Sequence, residues 1–461
     1  MSKKDKQELR QQIACEWLHE NYLQFGNLRH DVVADRLQVR CAHSLGEEAI
    51  GRLGERQELW RNLTDKDINT MVCQCVAESG VNISVTEMWT ALKSDMVPAV
   101  HPLRAWLQEL QPWTPDRPDW IDFIARQVHV KTNGTEEYTY QQLETSNKNN
   151  SLPLGCVVPQ RNVVENNVVD VVVNNNPADT LWRACFKKWF VAMVASWMND
   201  EVVNHTVLVL VGRQGIYKTT WLDHLIPPAL RPYSSKLPLS GQISKDDRLR
   251  LCENGMLNID ELDAICGREM NIMKSLLTST DINERAAYGR LKERKVRLAS
   301  FCASTNKREF LTDITGNRRW LPFEVESIQN PFYTTLPYEM MYAQAVYLVQ
   351  NDFNYWFDMD EIEVMEQHNE DFRAQENEEQ LLPILFDIPA EGKGEFMTTA
   401  EISERLVTYG NIKKPMKTRQ LGMLMAKKGF QKKQVFLSGT NVRGWMVYNR
   451  QIDEIKLAKN I

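Results

Sequence analysis

The chain has 461 residues, 43% of them hydrophobic and 25% charged, with a formal net charge of −6. That length suits about two to four domains, and the composition is globular, which excludes a fibrous or wholly disordered class. The negative total argues against a polyanion gripped by the molecule as a whole; any such contact has to be local.

The nine cysteines are scattered and odd in number. Cys73-Gln74-Cys75 has the wrong spacing for a zinc knuckle and no second pair complements it, so reduced thiols in a cytoplasmic protein are expected. The opening residues Met1-Ser2-Lys3-Lys4-Asp5-Lys6 are too charged for a signal peptide, and no apolar run approaches a membrane span.

Residues 1–130 predict a mostly helical N-terminal domain. Ile13, Trp17, Leu18, Tyr22 and Phe25 give one apolar stripe, Met88–Leu92 reads as a short helix, and Asp119 caps a helix over Trp120–Val128. The aromatic residues here read as core rather than as base-stacking platforms. His101, beside Pro102, has no second ligand near it and reads as structural. Residues 131–177 change character: Asn147, Asn149, Asn150, Asn162, Asn166 and Asn167 lie among short valine runs, which predicts an asparagine-rich linker. A helix over Ala178–Met198 then opens a domain spanning 178–350, with Trp182, Cys185, Trp189, Val191 and Met193 facing a sheet.

Thr206–Val211 is a short uncharged β-branched run, the pattern of a strand buried on both faces. Gly212-Arg213-Gln214-Gly215-Ile216-Tyr217-Lys218-Thr219-Thr220 follows and leads into a helical pattern. Strand, glycine loop, Lys-Thr and helix form the context of a phosphate-binding loop. Backbone N–H groups of such a loop face the anion, Lys218 reaches the β- and γ-phosphates, and the Thr219 hydroxyl sits on magnesium. Tyr217 stands where the pattern asks for glycine, which puts a Cβ where backbone wraps phosphate. The plain alternative is a strand–turn–helix with a chance Lys-Thr pair.

A second buried run, Gly255–Ile259, ends in Asp260-Glu261. In a nucleotide-hydrolysing sheet the first acid holds magnesium through water and the second polarises the attacking water; otherwise such a pair starts a capped helix. After a helix around Glu269–Leu277 comes a basic stretch with Arg285, Tyr288, Gly289, Arg290, Lys292, Arg294, Lys295 and Arg297, which predicts a hairpin or a solvated charged loop. Val296–Ala303 predicts a third buried strand, and Asn306 beyond its end would hold the attacking water or sense the γ-phosphate. Arg318 and Arg319 follow a glycine turn and suit phosphate contact, one of them as an arginine finger for a neighbouring subunit. The alternative is an ordinary ion pair.

Residues 351–390 form an acidic helical connector, with ten acids and one arginine between Asp358 and Glu379. Residues 391–461 reverse the sign, with ten Lys/Arg and no acid from Asn411 to Arg450. Helices over Thr398–Leu406 and Thr418–Lys428, then a hairpin over Val435–Tyr448, predict a winged-helix-like domain. Lys417, just before its second helix, and Arg419, Lys427 and Lys428 on it suit DNA; the same shape also serves protein docking.

The set Gly212–Thr220, Asn258-Ile259-Asp260-Glu261-Leu262, Tyr288-Gly289-Arg290, Ser304-Thr305-Asn306 and Asp313–Pro322 resembles the virulence-associated protein E family, and the basic tail is similar to that of Bacteroides-type members. The resemblance implies an α/β fold: a P-loop ATPase core of the AAA+ group, similar to superfamily 3 and poxvirus-type primase-helicases. It implies ATP and Mg2+ as cofactors, with Gly212, Gln214, Gly215, Ile216, Tyr217, Lys218, Thr219, Thr220 and Asp260 around them. Glu261, Asn306 and Arg318 or Arg319 would serve hydrolysis. Arg285, Tyr288, Arg290, Lys292 and Arg294 would face single-stranded DNA in the pore of a homo-oligomeric ring. The expected function is an ATP-dependent DNA helicase or translocase in replication of a phage or mobile element. The alternative is an ATP-binding initiator or regulator with little hydrolysis. No primase signature stands out, so priming would come from a separate protein.

Overall fold

The computed structural model describes residues 3–40, 60–131, 177–237, 244–260, 262, 267–284, 293–311, 317–390, 394–413, 415–437 and 439–450. These form two compact units, one of residues 1–306 with 319–364 and one of residues 307–318 with 365–461. The break after 364 falls within the stretch read as an acidic connector. Of the expected linker 131–177, only Lys131 and Pro177 lie among the described residues.

The first unit begins with helix α1 (Lys3–Leu18), strands β1 (Leu28–Asp31), β2 (Arg36–Arg40) and β3 (Trp60–Asn62), helices α2 (Asp65–Ser79) and α3 (Val85–Leu92), and strand β4 (Ala99–Val100). The strands make a sheet of order β3-β2-β1-β4, so among the described residues a small sheet that the helical reading did not include accompanies the helices. The reason is local. Leu37 and Val39 alternate with Arg36, Gln38 and Arg40 at period two, and Asp35 turns the chain with φ 53°. Asp31 is fully buried and accepts from Val33 N, Ala34 N and Tyr233 Oη at 2.8–3.1 Å. Helix α4 (Pro102–Gln108) is capped by His101 Nδ1, which accepts from Arg104 N. Helix α5 (Trp120–Ala125) is capped by Asp119, and strand β5 (Val128–Val130) follows.

The larger sheet of this unit is entered through α6 (Pro177–Met198), β6 (Val207–Val211), α7 (Lys218–His224), β7 (Ser234–Lys236), α8 (Lys245–Glu253), β8 (Met256–Ile259), α9 (Gly267–Thr278), the β9 (Asp281–Glu284) and β10 (Glu293–Val296) hairpin, β11 (Ser300–Thr305), β12 (Trp320–Ile328), α10 (Tyr338–Gln350) and α11 (Met359–Asn369). Its strand order is β5-β12-β6-β11-β8-β7. Every pair is parallel except the edge pair β5–β12. All five residues of β6 are buried, as a central parallel strand requires. Helix α6 lines the core with Trp182, Phe186, Trp189, Phe190 and Trp197, all buried. Three of its indoles donate to backbone carbonyls: Trp182 to Ala125, Trp189 to Phe301 and Trp197 to Gly255, at 2.8–3.1 Å. Large rings therefore enter the core without stranding their N–H groups.

The second unit contains α12 (Asn377–Leu385), β13 (Phe386–Asp387), β14 (Glu395–Thr398), α13 (Thr399–Gly410), α14 (Thr418–Lys427), β15 (Gln431–Leu437) and β16 (Thr440–Asn449). Strand β16 pairs antiparallel with β13, β14 and β15. Leu382, Ile402, Leu406, Leu421, Leu424, Trp445 and Val447 make the core beneath. Thr398 and Glu401 form a reciprocal cap on α13. A Cβ on Gly444 would overlap the Met397 carbonyl oxygen and the Phe396 ring. Gly444→Ala is therefore expected to cost this unit roughly 1–3 kcal/mol, read as an earlier urea transition.

Candidate functional site

The carboxyl ends of β6, β8 and β11 lie side by side, and the chain leaves β6 through the glycine loop. In a parallel sheet with crossovers running to both sides, this edge forms the ligand crevice. Gly212 lies so close to β12 that a Cβ would come within 2.8 Å of the Val325 carbonyl oxygen. Gly215 turns the loop with φ +86°. Tyr217 has φ 67° and ψ 17°, the left-handed region, at the N-cap of α7. A tyrosine thus holds the backbone shape that glycine adopts at no cost, at about 1–2 kcal/mol of strain. Tyr217→Gly is expected to remove that strain and lose part of the gain to chain entropy. The net change is a stabilisation of under about 1 kcal/mol, visible as a small rise in melting temperature.

The loop closes around Lys218, which is 7% exposed. Its Nζ donates to the carbonyls of Gly212 and Arg213, both at 2.7 Å, and to Asn306 Oδ1 at 3.0 Å. Next to it, Thr219 Oγ1 donates to Asp260 Oδ1 at 3.0 Å and lies 2.9 Å from Ser304 Oγ. Ser304 Oγ donates to the same carboxylate oxygen at 3.1 Å. The other oxygen, Oδ2, accepts from Lys236 Nζ at 3.0 Å. Burial alone would raise the Asp260 carboxyl, but hydrogen bonds from Lys236, Thr219 and Ser304 outweigh it and hold the group below the usual carboxylate range. The same bond raises Lys236. Lys218, Thr219, Asp260 and Asn306, far apart in the chain, are one connected cluster.

Two members carried no assignment from the sequence. Ser304 stands two residues before Asn306, one strand period away, which was a usable signal. Lys236 ends a three-residue edge strand and had none. In the loop itself Gln214 is exposed and Ile216 buried. The Thr220 carbonyl accepts from His224 Nδ1 at 2.7 Å.

Other expected residues lie elsewhere. Glu261, Arg285, Tyr288, Arg290 and Lys292 fall outside the described residues. Arg294 on β10 is exposed and paired with Asp281 at 3.0 Å. Arg297, read with the basic hairpin, is instead 1% exposed and turned inward. Arg319 precedes β12, and its carbonyl accepts from Val207 N at 2.8 Å. It therefore sits at the amino edge of the sheet, opposite the glycine loop, and is not gathered with Lys218. Arg318 is exposed and belongs to the second unit. In that unit Lys417, Arg419, Lys427 and Lys428 are all exposed, but Lys427 pairs with Glu370 at 2.5 Å and Lys428 with Glu379 at 3.5 Å. Part of the acidic segment thus answers part of the basic helix.

The profile of the virulence-associated protein E-like domain matches residues 158–374. No curated protein matches the sequence significantly. Among solved structures, an apo A-form of the NrS-1 C-terminal region aligns at 10% identity over 94% of this chain and 99% of that one, with a TM-score of 0.42. A further apo structure of that region aligns at 10% identity, and another A-form at 11%, with the same coverage and TM-score. No helix among the described residues is long and apolar enough to cross a membrane. The matched stretch 158–374 holds every member of the cluster, so the cluster lies within a segment similar to the virulence-associated protein E-like domain.

Proposed function

We propose that the protein is a P-loop ATPase of the AAA+ group that works as a DNA helicase or translocase in replication of a phage or mobile element. One observation carries the reading: Lys218 bonded to Asn306, beside Thr219 bonded to Asp260, where three parallel strands end. The donor set fits a triphosphate. Lys218 is a buried ammonium held by exchangeable loop carbonyls, and the side-chain direction at Gly215 in the same loop is open. It also fits Mg2+, because the Thr219 hydroxyl and the Asp260 carboxylate are hard oxygen donors. Bound there, Mg2+ would neutralise charge on the phosphate oxygens. In this reading Lys218 turns from its loop carbonyls to the phosphates, Asn306 orients the attacking water, and Glu261 takes its proton.

The position of Arg319 at the far edge of the sheet supports a finger acting in trans, and hence a homo-oligomeric ring. Arg294 and its hairpin neighbours, with the winged-helix-like second unit, supply the contacts to DNA. Such contacts release counterions, so DNA affinity is expected to fall steeply between 50 and 200 mM salt, by roughly 10³-fold if about six phosphates are held. A flat salt response in a filter-binding assay counts against them. A separate primase and a cytoplasmic setting complete the proposal.

The direct test is phosphate release with and without single-stranded DNA, then strand displacement on forked DNA by wild type and Glu261→Gln. DNA-stimulated turnover and unwinding, both lost in the variant, support the motor. The strained Tyr217 favours one second reading, a nucleotide-binding initiator or regulator with little hydrolysis. Tight ATP binding without turnover would select it.

A further inference from the structure

A cluster of aromatic rings lies beside the glycine loop. The Tyr217 ring meets Phe332 edge-on, with centroids 6.4 Å apart and planes at 82°. His224 meets the same phenylalanine at 5.6 Å and 87°. Phe332 is 68% exposed and Tyr333 88%. Asn330 braces the group: its Nδ2 donates to Tyr217 Oη at 3.4 Å and its Oδ1 accepts from Phe332 N at 3.0 Å. The His224 ring is held by its bond to the Thr220 carbonyl. The rings therefore come from two segments, the loop with α7 and the stretch after β12, and both emerge at the carboxyl edge of the parallel sheet.

A phenylalanine fixed by two edge contacts, with most of its surface in water, is an apolar platform prepared in advance. Tyr217 directly precedes Lys218, so the platform is continuous with the phosphate-holding end of the loop. That neighbourhood selects a flat π-system carrying phosphates over an apolar peptide. We propose that Phe332, flanked by Tyr217 and His224, stacks the base of the nucleotide whose phosphates meet Lys218. The inference rests on the nucleotide site proposed above and adds the residues that hold the base. It also gives the left-handed Tyr217 a purpose, because the strained backbone delivers a ring that glycine would lack. Stacking reads a π-face and not base edges. The site therefore favours purines by area, with little preference between adenine and guanine.

The test is calorimetric titration of the full chain, wild type, Phe332→Ala and Phe332→Trp, with MgATP and with magnesium tripolyphosphate. The alanine variant is expected to bind ATP about tenfold more weakly or worse, to bind tripolyphosphate as wild type does, and to be rescued by tryptophan. Equal ATP affinity in all three proteins overturns the stacking site while leaving the phosphate site standing. Equal losses for ATP and tripolyphosphate overturn it too, because the change then lies in the loop. A change in assembly state by light scattering with ATP affinity intact would assign Phe332 to contacts between copies, against the proposal. If wild type binds neither ligand, the nucleotide site itself fails and this inference with it.

Discussion

Lys218→Ala should abolish nucleotide-dependent turnover, by about 10²–10³-fold or more, the scale on which removal of one preorganised electrostatic group acts. The ammonium is buried and its three acceptors sit on two separate strand ends, Gly212 and Arg213 after β6 and Asn306 after β11. Alanine removes the charge that would meet the phosphates and also the donor that ties the loop to β11. Three acceptors would lose this donor, so a stability loss of about 1–3 kcal/mol accompanies the kinetic one. Lys218→Arg keeps the charge but replaces the compact ammonium, which meets three acceptors from one atom, with a planar fork. It should therefore recover folding better than turnover. Phosphate release and thermal melting on the same preparations separate the two effects. Wild-type turnover by Lys218→Ala would end the ATPase reading.

The second large effect concerns stability. Arg297→Met should destabilise the first unit by about 2–4 kcal/mol. The guanidinium is 1% exposed and donates to the Leu276 carbonyl at 2.8 Å and to the Asn204 carbonyl. Leu276 lies in the last turn of α9, where a cation meets carbonyls at the negative end of the helix. The ring of Phe301 lies 5.2 Å from the guanidinium carbon. Burial pulls the group down to about 9, which still leaves it charged at neutral pH. Arg297 thus pins three parts together: α9, the segment before β6, and the strand leaving the β9–β10 hairpin. Methionine fills the volume but removes the donor from both carbonyls, of which Leu276 keeps a bond from Ser279 N at 3.2 Å. Arg297→Lys should recover only part of the loss, since one ammonium cannot span both acceptors as a fork does. Urea unfolding provides the measure; an unchanged midpoint would refute the anchoring role.

Arg297 also marks where sequence reading reaches its limit. In the chain it is the last of a run of basic residues and looks like part of a solvated hairpin. Only the fold reveals that this arginine faces the core, because a carbonyl-lined pocket leaves no trace in neighbouring residue types. The N-terminal sheet escaped notice for a related reason: its strands are two to five residues long, too short for alternation to stand out from a helical stripe.

The residues themselves determined the buried runs at Val207–Val211 and Met256–Ile259, the glycine loop between strand and helix, and the helix–helix–hairpin order of the tail; the third run, expected over Val296–Ala303, lies instead at Ser300–Thr305, with Val296 ending the β9–β10 hairpin. Those features follow from local periodicity and turn chemistry, which act over a few neighbouring residues. Tertiary structure alone decided that β11 inserts between β6 and β8, so that Asn306 and Ser304 reach Lys218 and Thr219 from 85 or more residues away. It alone moved Arg319 to the opposite edge of the sheet, brought Lys236 onto Asp260, and set Phe332 against Tyr217. Strand order arises from how the crossovers pack over the whole sheet, and no short stretch of chain encodes which strand ends become neighbours.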